Sequence, residues 1–494
     1  MAGDERRMSD TEALMWRLEK DPHLASSFAN ITILDTSPNM DLLYARMERT
    51  AVLFPRLRRK VQPAPGNLGN PAWADDPGFD IRHHVRRISL PAPGSMRQLE
   101  DLVTLMLADP FDRSRPLWQF VVVDGLEGGR SALVEKLHHT ITDGQGGIEL
   151  SLHFLDLERD PGPLPALDPD LVNAAHVAPA PDASEALRGA MSDSLRIPLA
   201  VLRQVRDILA DPTQLGAIGS SASATVKSLL TEITETDAAR SPLWTARSLR
   251  RRLETTRVPY REMREAASVM GGKLNASFVT ATAHAAGEYH RRMGAPVESL
   301  RASMAISTRT DSSGSNAFSL ARMLVPTGEM PIAERFAAVN EALAMARSES
   351  ASASLDAIAA IATVLPTSVI TRLARAQAET VDFATSNVRG SGIPLYIAGA
   401  KLLANYPVGP LSGVAFNVTL MSYMGSLDVG INIDEAAVES PSLLRECMES
   451  AFAELCAVAP PRTDSGTPSP PPPPPPGATT VSRRWWRRSR SAAT

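Results

Sequence analysis

Two spacings of hydrophobic residues alternate along the first third of the chain. Apolar residues recur at intervals of three and four in TEALMWRLE (11–19) and SMRQLEDLVTLMLADPFD (95–112), which predicts amphipathic helices. Every second position is apolar in FANITILD (28–35), which predicts a half-buried strand. NMDLLYARMERTAVLFPRLRRKV (39–61) has helical spacing interrupted at Pro55, and FDIRHHVRRISL (79–90) alternates like a strand. This succession predicts an α/β fold.

The segment from 115 to 144, RPLWQFVVVDGLEGGRSALVEKLHHTITDG, predicts two strands around the turn DGLEGGR. Helical spacing returns in GGIELSLHFLDL (146–157). Strand patterns also occur late in the chain, in SLRASMAIS (299–307) and GVAFNVTLMSY (413–423), interleaved with helical patterns. Strands and helices therefore alternate in both halves of the chain.

The amino-acid composition distinguishes a linker and a tail from the two folded halves. The stretch from 158 to about 182 is rich in proline and alanine and has no period, which predicts a linker, and helical patterns follow over 183–235. PSPPPPPPPG predicts a stiff polyproline spacer, and SRRWWRRSR follows it, so the end of the chain is expected to be disordered. The predicted organisation is an N-terminal half (1–157), a linker with connecting helices (158–240), a C-terminal half (241–459) and a tail (460–494).

Charge, cysteine content and hydropathy exclude several classes of protein. The 494 residues carry a formal net charge of −4 and are 44% hydrophobic, and no folded segment has the sustained basic excess of a nucleic-acid binder. The two cysteines have neither metal-ligand nor disulfide spacing, which favours a reducing, cytoplasmic location. The start lacks a signal-peptide core, and no apolar run reaches the roughly 18–20 residues of a membrane span.

The segment HHTITDG (138–144) is the strongest candidate for chemistry. Side chains alternate along a strand, so His138 and His139 must point to opposite faces, and only one of them can face a cleft. The other is expected to point into the domain, where the backbone satisfies a ring nitrogen. Asp143 stands at a favoured N-cap position, and Gly144 allows a tight turn there.

Two other interpretations of this segment compete with a catalytic one. A metal site needs converging ligands, whereas neighbouring strand residues diverge. A core histidine with an N-cap aspartate would account for either feature alone, but less easily for the histidine pair followed by DG. The second histidine pair of the chain, His83–His84, lacks a following DG and is expected to lie in a plain strand.

HHxxxDG is the signature of the CoA-dependent acyltransferase superfamily, and several further segments narrow the resemblance. RPLWQ (115–119) resembles the PLW motif of bacterial wax ester synthase/diacylglycerol acyltransferases, and SNVRGSGIPLYIAGA (386–400) resembles that family's SNVPGP…PLYLAGA segment. MAISTRT (304–310), with the later GSN, resembles its PVSxR…GN segment, and NYPVGPLSGVAFNVTLMSYMGSL resembles its closing strand pair. The likeness runs from Met8 to about Ala457.

The resemblance implies two chloramphenicol-acetyltransferase-like halves, each a mixed sheet with flanking helices, and a tunnel between them. It also implies acyl transfer from a fatty acyl-CoA to diacylglycerol or a long-chain alcohol, in triacylglycerol or wax ester synthesis. His139 would then be the general base, His138 a supporting residue, and Asp143 the residue that holds the motif loop by pairing with an arginine. No covalent intermediate and no cofactor are implied, with acyl-CoA as co-substrate.

Substrate-binding candidates also follow from the resemblance. Pro116, Leu117 and Trp118 would help to shape the tunnel, although Leu117 and Trp118 would equally suit an ordinary core. Oxyanion donors are expected near Ser307, Thr308 and Arg309 or at the turn formed by Ser386 and Asn387, and each of these could instead be structural.

The sequence departs from the family pattern in two places. LND is LNA here (274–276), and NVPGP is NVRGS (387–391), which puts substrate choice in doubt. Two alternatives remain: an acyltransferase for another hydroxyl acceptor, and a non-catalytic acyl-CoA or lipid-binding protein. The Arg/Trp tail suits an anionic lipid surface, so peripheral attachment to the inner membrane or lipid bodies is expected, against a solvated tail of no specific role. No nucleic-acid partner is expected.

Overall fold

The structure of the chain, a computed structural model, describes residues 7–64, 70–142, 144–164, 166–168, 172, 241–307, 318–350 and 367–460. The helical patterns predicted over 183–235 and the tail after residue 460 lie outside these ranges, as does most of the predicted linker.

The described ranges contain strands and helices in alternation. The strands are β1 Ser27–Leu34, β2 Arg59–Gln62, β3 Ala72–Asp75, β4 Val85–Ser89, β5 Trp118–Leu126, β6 Arg130–His138, β7 Arg251–Pro259, β8 Ser299–Ser307, β9 Phe318–Pro326, β10 Phe383–Val388, β11 Tyr396–Ile397, β12 Ala400–Val408, β13 Phe416–Tyr423 and β14 Ser426–Asp434. The helices are α1 Asp10–Leu18, α2 Met40–Leu53, α3 Ile81–His84, α4 Met96–Ala108, α5 Gly144–Ser151, α6 Tyr260–Val269, α7 Leu274–Arg292, α8 Ile332–Ser350, α9 Thr367–Ala378 and α10 Pro441–Cys456.

Two six-stranded mixed sheets form the framework. The first has the order β11-β12-β1-β6-β5-β4, in which only the β4–β5 pair is parallel. The second has the order β7-β14-β13-β10-β8-β9, in which β10 runs parallel to both of its neighbours. The α/β class with two mixed sheets and flanking helices, predicted from the sequence, is confirmed.

The apolar residues of the strands and helices fill separate cores on these sheets. In the first sheet, alternate residues of β1 enter two different clusters: Ile31 joins Val134 and Val103 of α4, while Leu34 joins Leu133 on the opposite face. The second sheet packs against α7, whose alanine-rich sequence is buried over most of its length. The period-two pattern that predicted β1 thus reflects one uniformly apolar face, formed by Ala29, Ile31 and Ile33, while apolar and polar residues share the other face.

Two strands from the second half of the chain complete the first sheet. β12 pairs with β1 in antiparallel register, with Ile31 opposite Tyr406, and β11 pairs with β12. β12 also touches the second sheet, where the backbone N–H of Asn405 donates to Asp428 Oδ2 at 2.6 Å. The predicted boundaries at residues 157 and 241 do not include this exchange of strands between the halves.

Two local predictions were wrong in part or in full. The interruption predicted at Pro55 is confirmed, since the helix ends at Leu53 and Pro55 has no N–H to continue it, but the helical pattern beyond it was wrong because residues 59–62 form β2. The second histidine pair lies in the helical turn α3 rather than in a strand. The Asp80 side chain accepts from the Arg82 N–H and starts that turn, which leaves His84 buried against Trp118.

Among the described residues, every helix is either too short or too polar to cross a bilayer.

Candidate functional site

The end of β6 presents the two histidines of HHTITDG, and both neighbouring strands fix its backbone. The His138 N–H donates to the Leu117 carbonyl at 3.0 Å, just before β5. The His139 N–H donates to the Ser26 carbonyl at 3.1 Å, just before β1. The PLW segment therefore helps to position the histidine pair through its backbone.

The two imidazole rings lie on opposite sides of the sheet, as the strand alternation predicts. His138 is fully buried, with its ring edge-on to Phe111 at 6.4 Å between centroids. His139 is only partly buried and lies 4.6 Å from the Phe28 ring. The predicted divergence of the two histidines is confirmed, and of the two only His139 is partly exposed.

Hydrogen bonds fix the tautomer of His138. The backbone N–H of Thr140 donates to His138 Nδ1 at 3.1 Å, so that nitrogen is an acceptor, and the Thr140 hydroxyl lies 2.7 Å from it. The ring proton must then sit on Nε2, which contacts the carboxylate of Glu19. The backbone satisfies one ring nitrogen, as predicted for the inward-facing histidine, and a carboxylate meets the other.

Glu19 was missed by the sequence analysis. Burial raises the pKa of its carboxyl, but the hydrogen bond and charge of His138, the charge of Arg113 and the Ser27 hydroxyl together lower the pKa below its ordinary value. The residue is the C-cap of α1, where the helix dipole disfavours an acidic side chain. That unfavourable position was the available signal that Glu19 has another partner.

The pKa of His139 is strongly depressed. Burial is the main cause and the charge of His138 the second, and together they lower the pKa to about 3. The imidazole is therefore neutral at physiological pH and can accept a proton. Carrying that proton is unfavourable unless the reaction supplies a compensating charge.

The loop after the histidines is held by an arginine. Arg56 Nη1 donates to the Thr140 carbonyl at 3.0 Å and contacts the buried Glu12 carboxylate. Helix α5 begins at Gly144, where the sequence predicted a helix start. Asp143 lies outside the described residues, so its predicted pairing with an arginine stays a prediction.

The PLW residues belong to the core of the first sheet. Pro116 is buried, and Leu117 and Trp118 are each 1% exposed. The Trp118 indole N–H donates to the Leu57 carbonyl at 2.8 Å, and its ring stacks on His84. Of the two interpretations that the sequence left open, the packing favours the ordinary core for these side chains. Their role in substrate binding stays a prediction.

The candidate oxyanion segments lie at one edge of the second sheet. β8 and β10 are parallel neighbours, so Ser307, at the end of β8, lies at the same edge as Ser386 and Asn387 near the end of β10. Thr308 and Arg309 lie outside the described residues. Asn387 is exposed, and its Nδ2 donates to Asn275 Oδ1 at 3.4 Å. The structure thus brings together the SNV and LNA segments.

The two departures from the family pattern have local structural roles. The Ser391 hydroxyl accepts from the Ile393 N–H at 3.1 Å and shapes the turn after β10, while Arg389 is exposed. Ala276 is buried in α7.

The cysteines on α10 show no sign of nucleophilic character. Burial raises the pKa of Cys447 and of Cys456 to about 11, so both thiols stay protonated at neutral pH. Cys447 is fully buried in the core of the second sheet. In the part of the chain that the structure describes, no three His, Cys, Asp or Glu side chains are grouped as metal ligands.

Two family models match the chain in sequence. The wax ester synthase/diacylglycerol acyltransferase catalytic domain matches residues 8–278, and the WS/DGAT C-terminal domain matches residues 314–456. A Mycobacterium tuberculosis protein provisionally named a diacylglycerol O-acyltransferase is 32% identical over 482 residues, covering 93% of this chain and 94% of that protein. A second protein of that organism with the same provisional name is 28% identical, covering 92% and 98%.

Solved structures show a similar fold. The wax ester synthase/diacylglycerol acyltransferase of Marinobacter aquaeolei VT8 superimposes with a TM-score of 0.62 at 21% identity, covering 92% of this chain and 99% of that chain. The first condensation domain of the calcium-dependent antibiotic synthetase gives 0.53 at 15% identity, covering 92% and 96%. Both comparisons support the two-sheet architecture.

Proposed function

Because the chain belongs to the wax ester synthase/diacylglycerol acyltransferase family, we propose that it moves a fatty acyl group from acyl-CoA to the hydroxyl of diacylglycerol or a long-chain alcohol. The chain is an O-acyltransferase of this family, and the resemblance noted in its sequence is confirmed. Acyl-CoA as the donor and His139 as the base are the finer parts of the proposal.

The arrangement of the two histidines is the observation that carries the mechanism. His138 is held on both ring nitrogens, whereas His139 lies on the other face and is partly accessible. In the proposed reaction His139 takes the proton of the acceptor hydroxyl while its oxygen attacks the thioester carbonyl. The tetrahedral intermediate then collapses, the bond from carbon to sulfur breaks, and the proton passes to the leaving CoA thiolate.

The depressed pKa of His139 suits a base that acts directly from its neutral form. Such a base contributes about 10²–10⁴ in rate. The proton that it holds between the two steps adds a positive charge beside His138. The Glu19 carboxylate on the far nitrogen of His138 provides a negative charge that offsets it.

The remaining predicted roles are part of the same proposal. Ser307, Ser386 or Asn387, at the ends of β8 and β10, or Arg309, which lies outside the described residues, would stabilise the oxyanion. The PLW segment would act through its backbone support of His138, beside a tunnel between the halves. We propose no cofactor beyond acyl-CoA, and chelation with EDTA should leave the rate unchanged.

The experiment that tests the function measures CoA release from palmitoyl-CoA with hexadecanol or a diacylglycerol. Release that depends on the acceptor should disappear in His139→Ala and persist in His83→Ala, which removes an exposed histidine. Absence of release from the wild type with both acceptors, with acyl-CoA binding intact, would point to a binding protein. Release that persists in His139→Ala would place the base elsewhere.

We also propose that the tail attaches the enzyme to anionic lipid surfaces. The supporting feature is the sequence SRRWWRRSR, because arginines attract anionic headgroups and indoles settle at the interface. Deletion of residues 461–494 should abolish co-sedimentation with phosphatidylglycerol vesicles and leave turnover of dispersed substrate intact. Unchanged co-sedimentation would reject the attachment.

A further inference from the structure

A strip of polar side chains crosses the middle of the first sheet on the face that carries His139. It consists of Glu135 on β6, Asn30 and Thr32 on β1, and Asn405 on β12, and we call it the polar strip. Asn30 Nδ2 donates to Glu135 Oε2 at 2.7 Å and lies 3.2 Å from the Thr32 hydroxyl, which is 3.1 Å from Asn405 Oδ1.

Strand alternation places the polar strip on the face of the base. His139 directly follows β6, and its ring contacts Phe28, which is paired with Leu137 on the face that carries Glu135. Asn30 lies two residues from Phe28, whose ring contacts His139. At a rise of about 3.3 Å per residue, Glu135 is on the order of 13 Å from His139 along the strand.

Asn30 and Asn405 are partly exposed although they lie in the interior of the sheet. β1 is hydrogen-bonded to β6 on one edge and to β12 on the other. The exposure of Asn30 therefore comes from space above the face rather than from an open edge. Leu133, Leu137 and Trp118 on the same face belong to an apolar core, so the strip is a polar segment within apolar surroundings.

The hydrogen bonding of the strip is incomplete. Among the described residues nothing pairs with the buried Oδ1 atom of Asn30. Glu135 contacts no cation within those ranges, and burial, opposed only by Asn30, raises the pKa of its carboxyl to about 7. Such a site favours a neutral ligand over a charged one. A hydroxyl both donates and accepts, so it suits Asn30 in either orientation of the amide.

We propose that the polar strip is a subsite for a second hydroxyl group of the lipid substrate, separate from the hydroxyl that is acylated. The inference rests on the proposed function, because it takes His139 as the reacting end. The separation along β6 places the second hydroxyl on the order of ten carbon atoms from the reacting carbonyl or oxygen. The hydroxyl could belong to the acyl chain or to the acceptor.

The test for the acyl chain uses binding, which needs no turnover. The wild type should bind 10-hydroxystearoyl-CoA about fivefold more tightly than 3-hydroxystearoyl-CoA, a ratio that one net hydrogen bond supports. The variant Asn30→Leu/Glu135→Met replaces both partners by apolar groups of similar shape and should abolish the preference. Glu135→Gln should keep it, and Leu133→Met, on the same face, is the matched control.

The test for the acceptor compares kcat/KM for decane-1,10-diol and decan-1-ol with palmitoyl-CoA. The diol has two equivalent reactive ends, which alone give a factor of two in kcat/KM. A larger preference for the diol that is lost in Asn30→Leu/Glu135→Met assigns the second hydroxyl to the acceptor. The inference is overturned if the wild type shows neither preference, or if Leu133→Met removes the preferences equally. Binding preference without any CoA release would instead reject the proposed function and keep the subsite.

Discussion

His138 presents its Nε2 atom to the carboxylate of Glu19, a residue more than a hundred positions earlier in the chain. The side chain of His138 is 0% exposed and that of Glu19 is 12% exposed. With Thr140 bonded to the other ring nitrogen, this contact fixes both the tautomer and the orientation of the ring. His138 is thus a fixed support on one face of the strand, and His139 is the accessible histidine on the other.

Loss of the Glu19 carboxylate should lower turnover. We expect kcat in Glu19→Ala to fall about 10- to 100-fold, less than the ~10²–10⁴ contribution of the base itself, because Glu19 acts through His138. KM for palmitoyl-CoA should change little. Glu19→Gln should fall less, since its amide oxygen can still accept from Nε2.

The control for this prediction is Asp112→Asn, which neutralises an exposed carboxylate in the loop before β5. Its kcat should match that of the wild type. A fall in Glu19→Ala confined to KM, with kcat preserved, would contradict the positioning role.

The pKa of about 3 at His139 predicts an unusual pH profile. The neutral form persists far below the ordinary pKa of about 6.5, so kcat/KM should show no loss from His139 protonation between pH 8 and pH 5. NMR of histidine labelled with ¹³C at Cε1, assigned by the loss of one signal in His139→Gln, would test this directly. A His139 signal that titrates near pH 6.5 would refute the depressed pKa.

The depressed pKa of His139 should also make the stability of the folded protein depend on pH. Since folding depresses the pKa of His139, the unfolded chain binds a proton at a higher pH than the folded chain. The folded state therefore loses stability relative to His139→Gln as pH falls from about 6.5 towards about 3. Thermal unfolding of both proteins across that range would measure the difference.

The sequence predicted the local structure of the site better than its tertiary contacts. Alternation along β6 predicted that His138 and His139 diverge, because the side-chain period of a strand is a local property. The contact of Glu19 with His138 depends on where α1 packs, which periodicity does not encode. The pairing of β12 with β1 joins residues far apart in sequence, so the pattern predicted β1 but not its partnership with β12.

Tertiary packing also bears on the role of the PLW segment. The resemblance left open whether Leu117 and Trp118 line a tunnel or belong to a core, and the burial of Trp118 against His84 and Leu57 favours the core. Residues 39–61 show a case in which the sequence alone was enough to predict where the helix ends, but not the structure that follows it. Pro55 predicted an interruption, and the strand that followed required β3 as its partner.

Glu135 should make the stability of the protein fall as the pH rises from about 5 to about 7. Burial raises its pKa from 4.5 to about 7, so its contribution is fully present below 4.5 and is lost as pH rises through about 7. Relative to Glu135→Gln, the wild type should lose on the order of 2–3 kcal/mol between pH 5 and pH 8. Denaturant unfolding at both pH values measures the difference.

The control variant is Glu127→Gln, which changes an exposed glutamate in the turn between β5 and β6. Its stability should differ little from that of the wild type at both pH values. A parallel pH dependence in the wild type and Glu135→Gln would show that Glu135 does not titrate in this range.

Arg97 of α4 links the two halves through buried carboxylates. Its Nη1 lies 3.0 Å from Glu100 Oε2 and 3.2 Å from Glu254 Oε1, and it donates to the Leu253 carbonyl at 2.8 Å. Glu100 and Glu254 are each 7% exposed, on α4 and β7 respectively. Burial, with Glu254 adding to it, raises the pKa of Glu100 to about 6 against the opposing effects of Thr255, Arg97 and Arg252.

Removal of Arg97 should therefore destabilise the junction between the halves. Arg97→Ala leaves two buried carboxylates near each other with less compensating charge, and we expect a loss of about 2 kcal/mol, discounted because Arg97 is 31% exposed. The matched control is Arg261→Ala, which breaks an exposed pair with Glu265 and should leave the stability close to that of the wild type. Arg97→Ala/Glu254→Gln should recover part of the loss, since it removes one of the two repelling charges. Equal losses in Arg97→Ala and Arg261→Ala would show that the junction behaves as an ordinary surface pair and that apolar packing alone joins α4 to β7.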